Sequence, residues 1–359
     1  MAAPGAGMSA LRQLALGARF GLAQAARVGW YTAQHDAGRR LAREVGRTLP
    51  KMPEAQIGAP AGLPSRGRLL AHLRTLLARD FANVAAGLYP MPPAALSALP
   101  GLLTARRRYL ADLPEVVRRR ATRSHQEVVR EESGRPRYYM QNFHFQTDGW
   151  MSEESARLYD TQVETLFFGA AAAMRRQALV PIAERLAKVD QRRQRLLDVA
   201  SGSGAFLGDL AAAFPRLPVV ASDLSPHYLR LARQRISRRR GSGAVVAPAE
   251  ALPFADGTFD IVTNTYLFHE IPPKVRAAVA AELARVLAPG GLLVVVDSLQ
   301  TGDTPELDGL LELFPHLFHE PYYKSYLTAD LGRIFMRNRL ELEGTLPAFF
   351  SKVFVLRKS

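Results

Sequence analysis

Two carboxylates and a pair of glycines have the types and spacing for ligand chemistry. Asp198 precedes Gly202 and Gly204 in the run Asp198-Val199-Ala200-Ser201-Gly202-Ser203-Gly204, and Asp223 follows 19 residues beyond Gly204. Glycines between a strand and a helix let a ligand approach the backbone and the helix N-terminus. No Lys-Ser or Lys-Thr pair follows, so a loop that cradles nucleoside triphosphates is excluded. Asp198 at a strand's carboxyl end would repel a pyrophosphate and favour a ligand carrying an ammonium and a sulfonium. Asp223, ending the next strand, is placed to accept hydrogen bonds from a ribose diol. Its alternative is a turn-capping role beside Ser225.

A second set of residues could handle protons. His269 and Glu270 close the run Thr265-Tyr266-Leu267-Phe268-His269-Glu270, and a histidine's ordinary pKa suits proton transfer. His269 also reads as a hydrogen-bonded residue capping the next helix. Upstream, Tyr138 to Trp150 is rich in aromatic and amide groups and contains His144. This stretch is either a lid over cofactor and acceptor or a plug packing the N-terminal part on the sheet. The candidate catalytic residues are therefore His269, Glu270 and His144. Further on, Phe314 to Tyr323 holds His316, His319 and Glu320. A metal there would need another ligand, such as His144 or His269; the segment reads instead as an aromatic wall of an acceptor pocket, and no metal is expected. Tyr159 heads a core-type stripe of Val163, Leu166, Phe167, Ala170 and Met174, and could itself reach a cofactor carboxylate.

The elements that must position these residues follow from periodicity. Beyond Arg195, short apolar runs alternate with helical spacing, which predicts a parallel, doubly wound α/β sheet. Strands are expected at 196–199, 219–223, about 244–247, 259–264 and 292–296. Helices are expected from about Ala205 to Ala213, after Ser225-Pro226 and closing on Arg238-Arg239-Arg240, and from Pro273 to a stop at Pro289-Gly290-Gly291. Leu340–Leu346 and Ser351–Leu356 could form a closing hairpin. Residues 48–66 read as a linker and Leu69 to Leu77 as helix.

The chain has 359 residues, a formal net charge of +14 and no cysteine, which excludes disulfides and thiolate chemistry. No stretch of about 18 apolar residues occurs, so a membrane span is not expected. Residues 1–130 carry 20 Lys+Arg against 7 Asp+Glu, whereas residues 131–359 carry 27 against 26. Three parts result: a basic, mainly helical region at 1–130, an aromatic connector or lid at 131–160, and the α/β domain at 161–359. The acid-poor start, residues 1–35, reads as a basic helix, with a transit peptide or a membrane- or nucleic-acid-binding face as alternatives.

These residues resemble motif I of the class I S-adenosylmethionine-dependent methyltransferases in Leu197-Asp198-Val199-Ala200-Ser201-Gly202-Ser203-Gly204. Val220 to Pro226, Ala249 to Phe254 with Phe259-Asp260, and Glu282 to Gly291 follow in the family's order. The spacing is most similar to the ubiquinone/menaquinone C-methyltransferase subgroup. The resemblance covers 155–300 well and the N-terminal third hardly at all. It implies a Rossmann-like, mostly parallel seven-stranded sheet with an additional N-terminal helical region. S-adenosyl-L-methionine is the implied cofactor. By matching position, Asp198, Ala200, Gly202 and Gly204 would surround its methionine part, Asp223 and Leu224 the ribose, and Ala249 the adenine. Asn264 would face the methyl group. Ala200 replaces the family's first glycine, which requires a negative φ there. Pro248 replaces the acid for the adenine amino group, with Glu250 as a neighbouring substitute. The expected acceptor is a small, apolar or amphipathic molecule, and the expected partner surface an anionic membrane; an Arg-mediated RNA or protein substrate and a non-catalytic binding module are the alternatives. A cytoplasmic, membrane-peripheral location is expected, with organelle targeting as the alternative.

Overall fold

Leu196–Val199 is apolar apart from Asp198 and buried at every position, the mark of a strand covered on both faces. It is β1, the centre of the sheet in the computed structural model, which describes residues 10–49, 62–93, 99–129, 134–237 and 239–359. Six further strands join it: β2 (Val219–Asp223), β3 (Gly243–Val246), β4 (Phe259–Thr265), β5 (Leu287–Ser298), β6 (Leu340–Ala348) and β7 (Ser351–Lys358). Their order is β3-β2-β1-β4-β5-β7-β6. The first five run parallel, and β7 pairs antiparallel with both β5 and β6, as a closing hairpin should. Chain order reverses between β1 and β4, so a crevice opens there at the carboxyl ends. Val199 is in register with both Ser222 and Asn264, which sets Asp198, Asp223 and Asn264 along one edge.

Helices cover both faces. The N-terminal ones are α1 (Ala10–Thr48), α2 (Arg66–Ala85) and α3 (Leu99–Thr122). Then come α4 (Glu153–Leu166), α5 (Ala171–Arg176), α6 (Leu179–Leu186), α7 (Ala205–Ala213), α8 (Pro226–Ile236) and α9 (Pro273–Val286). The last three are α10 (Asp308–Leu317), α11 (Tyr323–Leu327) and α12 (Leu331–Met336). Phe20 of α1 and Val84 of α2 sit in one buried cluster with Leu179, Ile182 and Leu210, so the N-terminal helices share a core with the sheet. Ion pairs to two buried carboxylates fasten them. Asp80 takes Nε and Nη2 of Arg176 at 3.0 and 2.5 Å, and Glu164 receives both Arg27 and Arg175 at 2.9 Å. Part of the N-terminal positive charge is therefore structural.

Two boundaries differ from expectation. Helix α9 stops at Val286 and not at Pro289-Gly290-Gly291, because Leu287 leaves the helix to pair with Phe259 of β4. Leu287 is already extended and β5 begins there. Helix α8 ends at Ile236; Arg238 lies outside the described residues. Arg239 donates to the carbonyls of Ala211, Phe214 and Leu217, so it caps α7 and not its own helix. Most of the expected 48–66 linker, residues 50–61, lies outside the described residues.

Candidate active site

Ser201 to Gly204 turns the chain from β1 into α7. Gly204 has φ +76, and a Cβ on it would fall 2.6 Å from Ala232 Cα, so its bareness lets α7 pack on α8. Ala200 departs from expectation: its φ is +55, left-handed and not negative, a conformation that strains an L residue. Ser225 caps α8 by accepting from Tyr228 N, and donates to Trp150 O at 2.7 Å. The connector is thereby tied to the carboxyl edge of the sheet.

Ala200, Gly202, Asp223, Leu224, Ala249 and Glu250 wall one cavity above that edge, with Tyr138, Tyr139 and Trp150 of the connector on its far side. Asp198, Gly204 and Asn264 stand behind the wall. Asp223 accepts the backbone N–H of Gly202 and of Ser225, each at 2.8 Å, and burial pushes its carboxyl up to about 6. Asp198 is fully buried. It accepts from Thr263 Oγ1 at 2.7 Å, its Oδ2 has no hydrogen-bond partner among the described residues, and burial pushes it up to about 7. Asn264 donates to Val199 O at 2.8 Å. Glu250 accepts from Tyr138 Oη at 2.6 Å and has a second oxygen buried without a partner among the described residues.

Sequence reasoning missed Arg175. It lines this cavity, is 8% exposed, and its Nε is buried without a hydrogen-bond partner among the described residues. Its signal, an arginine pair Arg175-Arg176 directly after the apolar run ending at Met174, was present in the sequence. S-adenosylmethionine fits this donor set: Asp223 suits ribose hydroxyls, Arg175 a carboxylate, Asp198 an ammonium, and Leu224, Ala247 and Ala249 an adenine face.

A second cavity of about 400 Å³ adjoins the first. Leu69, Leu70 and Leu73 of α2, Leu310, Leu313 and Phe314 of α10, and Phe349 and Phe350 after β6 make it strongly apolar. Tyr159, Val163, Tyr266 and Glu270 line both cavities. Beside this junction lies a buried polar chain. Asp297, ending β5, meets His269 Nδ1 at 2.5 Å; His269 Nε2 lies 3.5 Å from Glu270 Oε1. His144 Nε2 lies 3.3 Å from that same oxygen and 3.0 Å from Glu320 Oε1. Burial opposes protonation of His269, but Asp297 and Glu270 outweigh it and hold the ring well above its ordinary range. Burial and Glu270 together push Glu320 up, while the two histidines hold Glu270 down against its burial. His269, Glu270 and His144 thus meet at one place. Of the downstream residues Glu320 joins them, His316 is exposed, and His319 turns to Gln141 at 2.7 Å.

Residues 196–291 match the family model of a methyltransferase domain. The chain is similar to the demethylmenaquinone methyltransferase of Thermus thermophilus, at 38% identity over 148 residues, 41% of this chain and 64% of that protein. It is 31% identical to the ubiquinone/menaquinone biosynthesis C-methyltransferase of Geobacter sp. (strain M21) over 147 residues, 40% of this chain and 57% of that protein. The chain thus spans about six-tenths of the length of these two. For the enzyme of the same name from Geotalea daltonii the match is 30% over 191 residues, 52% of this chain and 74% of that protein. Among solved structures, magnesium protoporphyrin IX methyltransferase from Synechocystis PCC 6803 is 16% identical, with a TM-score of 0.38 over 52% of this chain and 79% of that one. With its glycine loop and the three later motifs in register on this sheet, the chain belongs to the class I S-adenosylmethionine-dependent methyltransferases, in the subgroup of the ubiquinone/menaquinone C-methyltransferases.

Proposed function

We propose that the protein transfers a methyl group from S-adenosylmethionine to a small acceptor with a polar head and an apolar body, of the quinone type. The observation that carries this is the shared wall: Tyr159, Val163, Tyr266 and Glu270 face both the cofactor cavity and the apolar one. The relatives' names, which speak of demethylmenaquinone and ubiquinone, support the quinone class. Bound cofactor supplies an electrophilic methyl group on a sulfonium. Asp198, Asp223 and Arg175 hold its charged and ribose ends, and the loop amides after β1 approach it closely. The leucine and phenylalanine walls exclude water and fix the acceptor's orientation, which alone contributes on the order of 7–11 kcal/mol in well-aligned reactions. His144, His269 and Glu270 line the space where an acceptor oxygen would be held and hydrogen-bonded.

The arginine triplets favour this over a nucleic-acid substrate. Arg119 is buried against Glu127 and Phe145 O, Arg118 pairs with Glu115 and Glu127, Arg108 with Glu154, and Arg120 lies over Phe318. Helices α1 and α2 then act as the acceptor-side wall. Outside that wall, α1 exposes Leu11, Leu14 and Leu22 on one stripe beside Arg19. No helix among the described residues is long and apolar enough to cross a membrane. We read the stripe as resting on an anionic bilayer from which the acceptor enters, and the protein as membrane-peripheral. The test is incubation with methyl-deuterated S-adenosylmethionine and a lipid extract, read by mass spectrometry. A labelled quinone-type lipid supports the reading; label confined to RNA or protein, or absent altogether, overturns it.

A further inference from the structure

We propose that His144, Glu270 and Glu320 form a binding site for one divalent first-row cation, placed to hold an oxygen of the acceptor at the junction of the two cavities. The three side chains come from separate segments, the connector, the turn after β4 and the chain after α10. Their ligand atoms lie within 4.8 Å of one another. The approaches of His144 Nε2 to the two carboxylates, 3.0 and 3.3 Å, match the roughly 3 Å edge between neighbouring ligands of an ion bound at about 2.1 Å.

The carboxylates give an independent reason. The Glu320 side chain is fully buried, yet neither of its oxygens receives a hydrogen bond among the described residues, nor does Glu270 Oε2. Glu320 Oε1 and the His144 ring nitrogen converge to 3.0 Å without hydrogen-bond alignment, as two ligands of a common ion do. Buried carboxylate oxygens without donors are costly, and a cation satisfies all three at once. The neighbouring histidine leaves these three oxygens unserved: His269 Nδ1 meets Asp297 at 2.5 Å and its Nε2 faces the other oxygen of Glu270, Oε1, at 3.5 Å. Two carboxylates with a neutral imidazole carry a charge of −2, which a divalent ion cancels. One nitrogen and two carboxylate oxygens suit Mn²⁺, Fe²⁺ or Zn²⁺ better than soft-ligand metals.

Position gives the site its use. Glu270 lines both cavities and His144 lines the apolar one, so coordination positions not taken by protein face the acceptor's space. A hydroxyl or keto oxygen bound there would be oriented and made more acidic. This use rests on the acceptor reading above; the ion site itself does not.

The experiment is titration of the chelator-treated full chain with Zn²⁺ and, separately, Mn²⁺, without cofactor, by calorimetry and elemental analysis. One equivalent should bind, and Glu320→Gln and His144→Gln should each weaken it at least about tenfold. Melting curves of the metal-free variants report folding, and Glu320→Gln should melt close to the unchanged chain, since an amide of the same shape replaces a carboxyl whose oxygens receive no hydrogen bond among the described residues. Should His144→Gln misfold, Glu320→Gln and Glu320→Asp carry the comparison. Absence of stoichiometric binding, or equal binding by folded variants, overturns the site. In a separate titration with S-adenosylmethionine, failure of the unchanged chain to bind it while the ion binds would instead overturn the cofactor reading.

Discussion

The carboxylate of Asp223 accepts the backbone N–H of Gly202 at 2.8 Å, tying the end of β2 to the glycine loop after β1. One side chain thus shapes the loop and stands on the cavity wall, where we propose that it takes the ribose hydroxyls. Asp223→Ala should lower S-adenosylmethionine affinity by roughly a hundredfold or more, since charged hydrogen bonds contribute about 1.5–3 kcal/mol each. Calorimetry measures it, and an affinity within threefold of the unchanged protein would count against the assignment.

Gly204→Val should act through folding and not through contact with the ligand. Its Cβ would meet Ala232 Cα at 2.6 Å, and overpacking together with a left-handed φ costs about 2–4 kcal/mol. Thermal or denaturant melting should show that loss with no cofactor present. An unchanged melting temperature would contradict the packing role.

Burial holds Asp198 at about 7 and Asp223 at about 6 in the protein without cofactor. Both lie above the value of roughly 3.9 for an unfolded chain. The folded state therefore binds the extra protons, and the stability these groups contribute is full below about pH 4 and lost as pH rises through 6 to 7. Cofactor binding favours the ionised forms, so affinity should rise between pH 5.5 and 8 with proton release near pH 6.5. Calorimetry in buffers of different ionisation enthalpy measures the release. Asp198→Asn should reduce the pH dependence; an unaltered profile would rule Asp198 out as its source.

Asp80→Ala should leave buried Arg176 with only the 3.9 Å approach of Asp209, at a cost of up to about 3–5 kcal/mol. The N-terminal helices should loosen with it, exposing the apolar cavity they wall. Limited proteolysis reads this: cleavage confined to residues 1–130 is the expected result, and a pattern identical to the unchanged protein would deny the pair its fastening role.

Replacing Leu11, Leu14 and Leu22 together by glutamate should abolish sedimentation with phosphatidylserine vesicles while leaving S-adenosylmethionine binding intact. Binding of the unchanged protein should weaken between about 0.05 and 0.5 M salt, as screening shortens the reach of surface charge. Equal sedimentation of the triple variant would remove α1 as the docking face.

Local patterns were enough for the sheet and the loop. A doubly apolar strand, a glycine turn, a Ser-Pro cap and their repetition at helical spacing are properties of neighbouring residues, and they set β1 to β5, α7 and α8 before any fold is known. The boundary at Val286 and the left-handed Ala200 escaped because each depends on what packs beyond the motif. The junction of the two cavities could not be read at all. Glu320 stands 176 residues from His144, and Arg175 is one of two adjacent arginines of which it alone lines the first cavity; spacing along the chain carries no information about such meetings. By itself the sequence determined the family, the glycine loop that follows β1 and the uneven charge. The tertiary structure decided where that charge is used, partly in buried pairs and partly on the face of α1, and which polar groups share one apolar cavity. Burial, hydrogen-bond satisfaction and approach of distant segments are set only when the chain closes on itself.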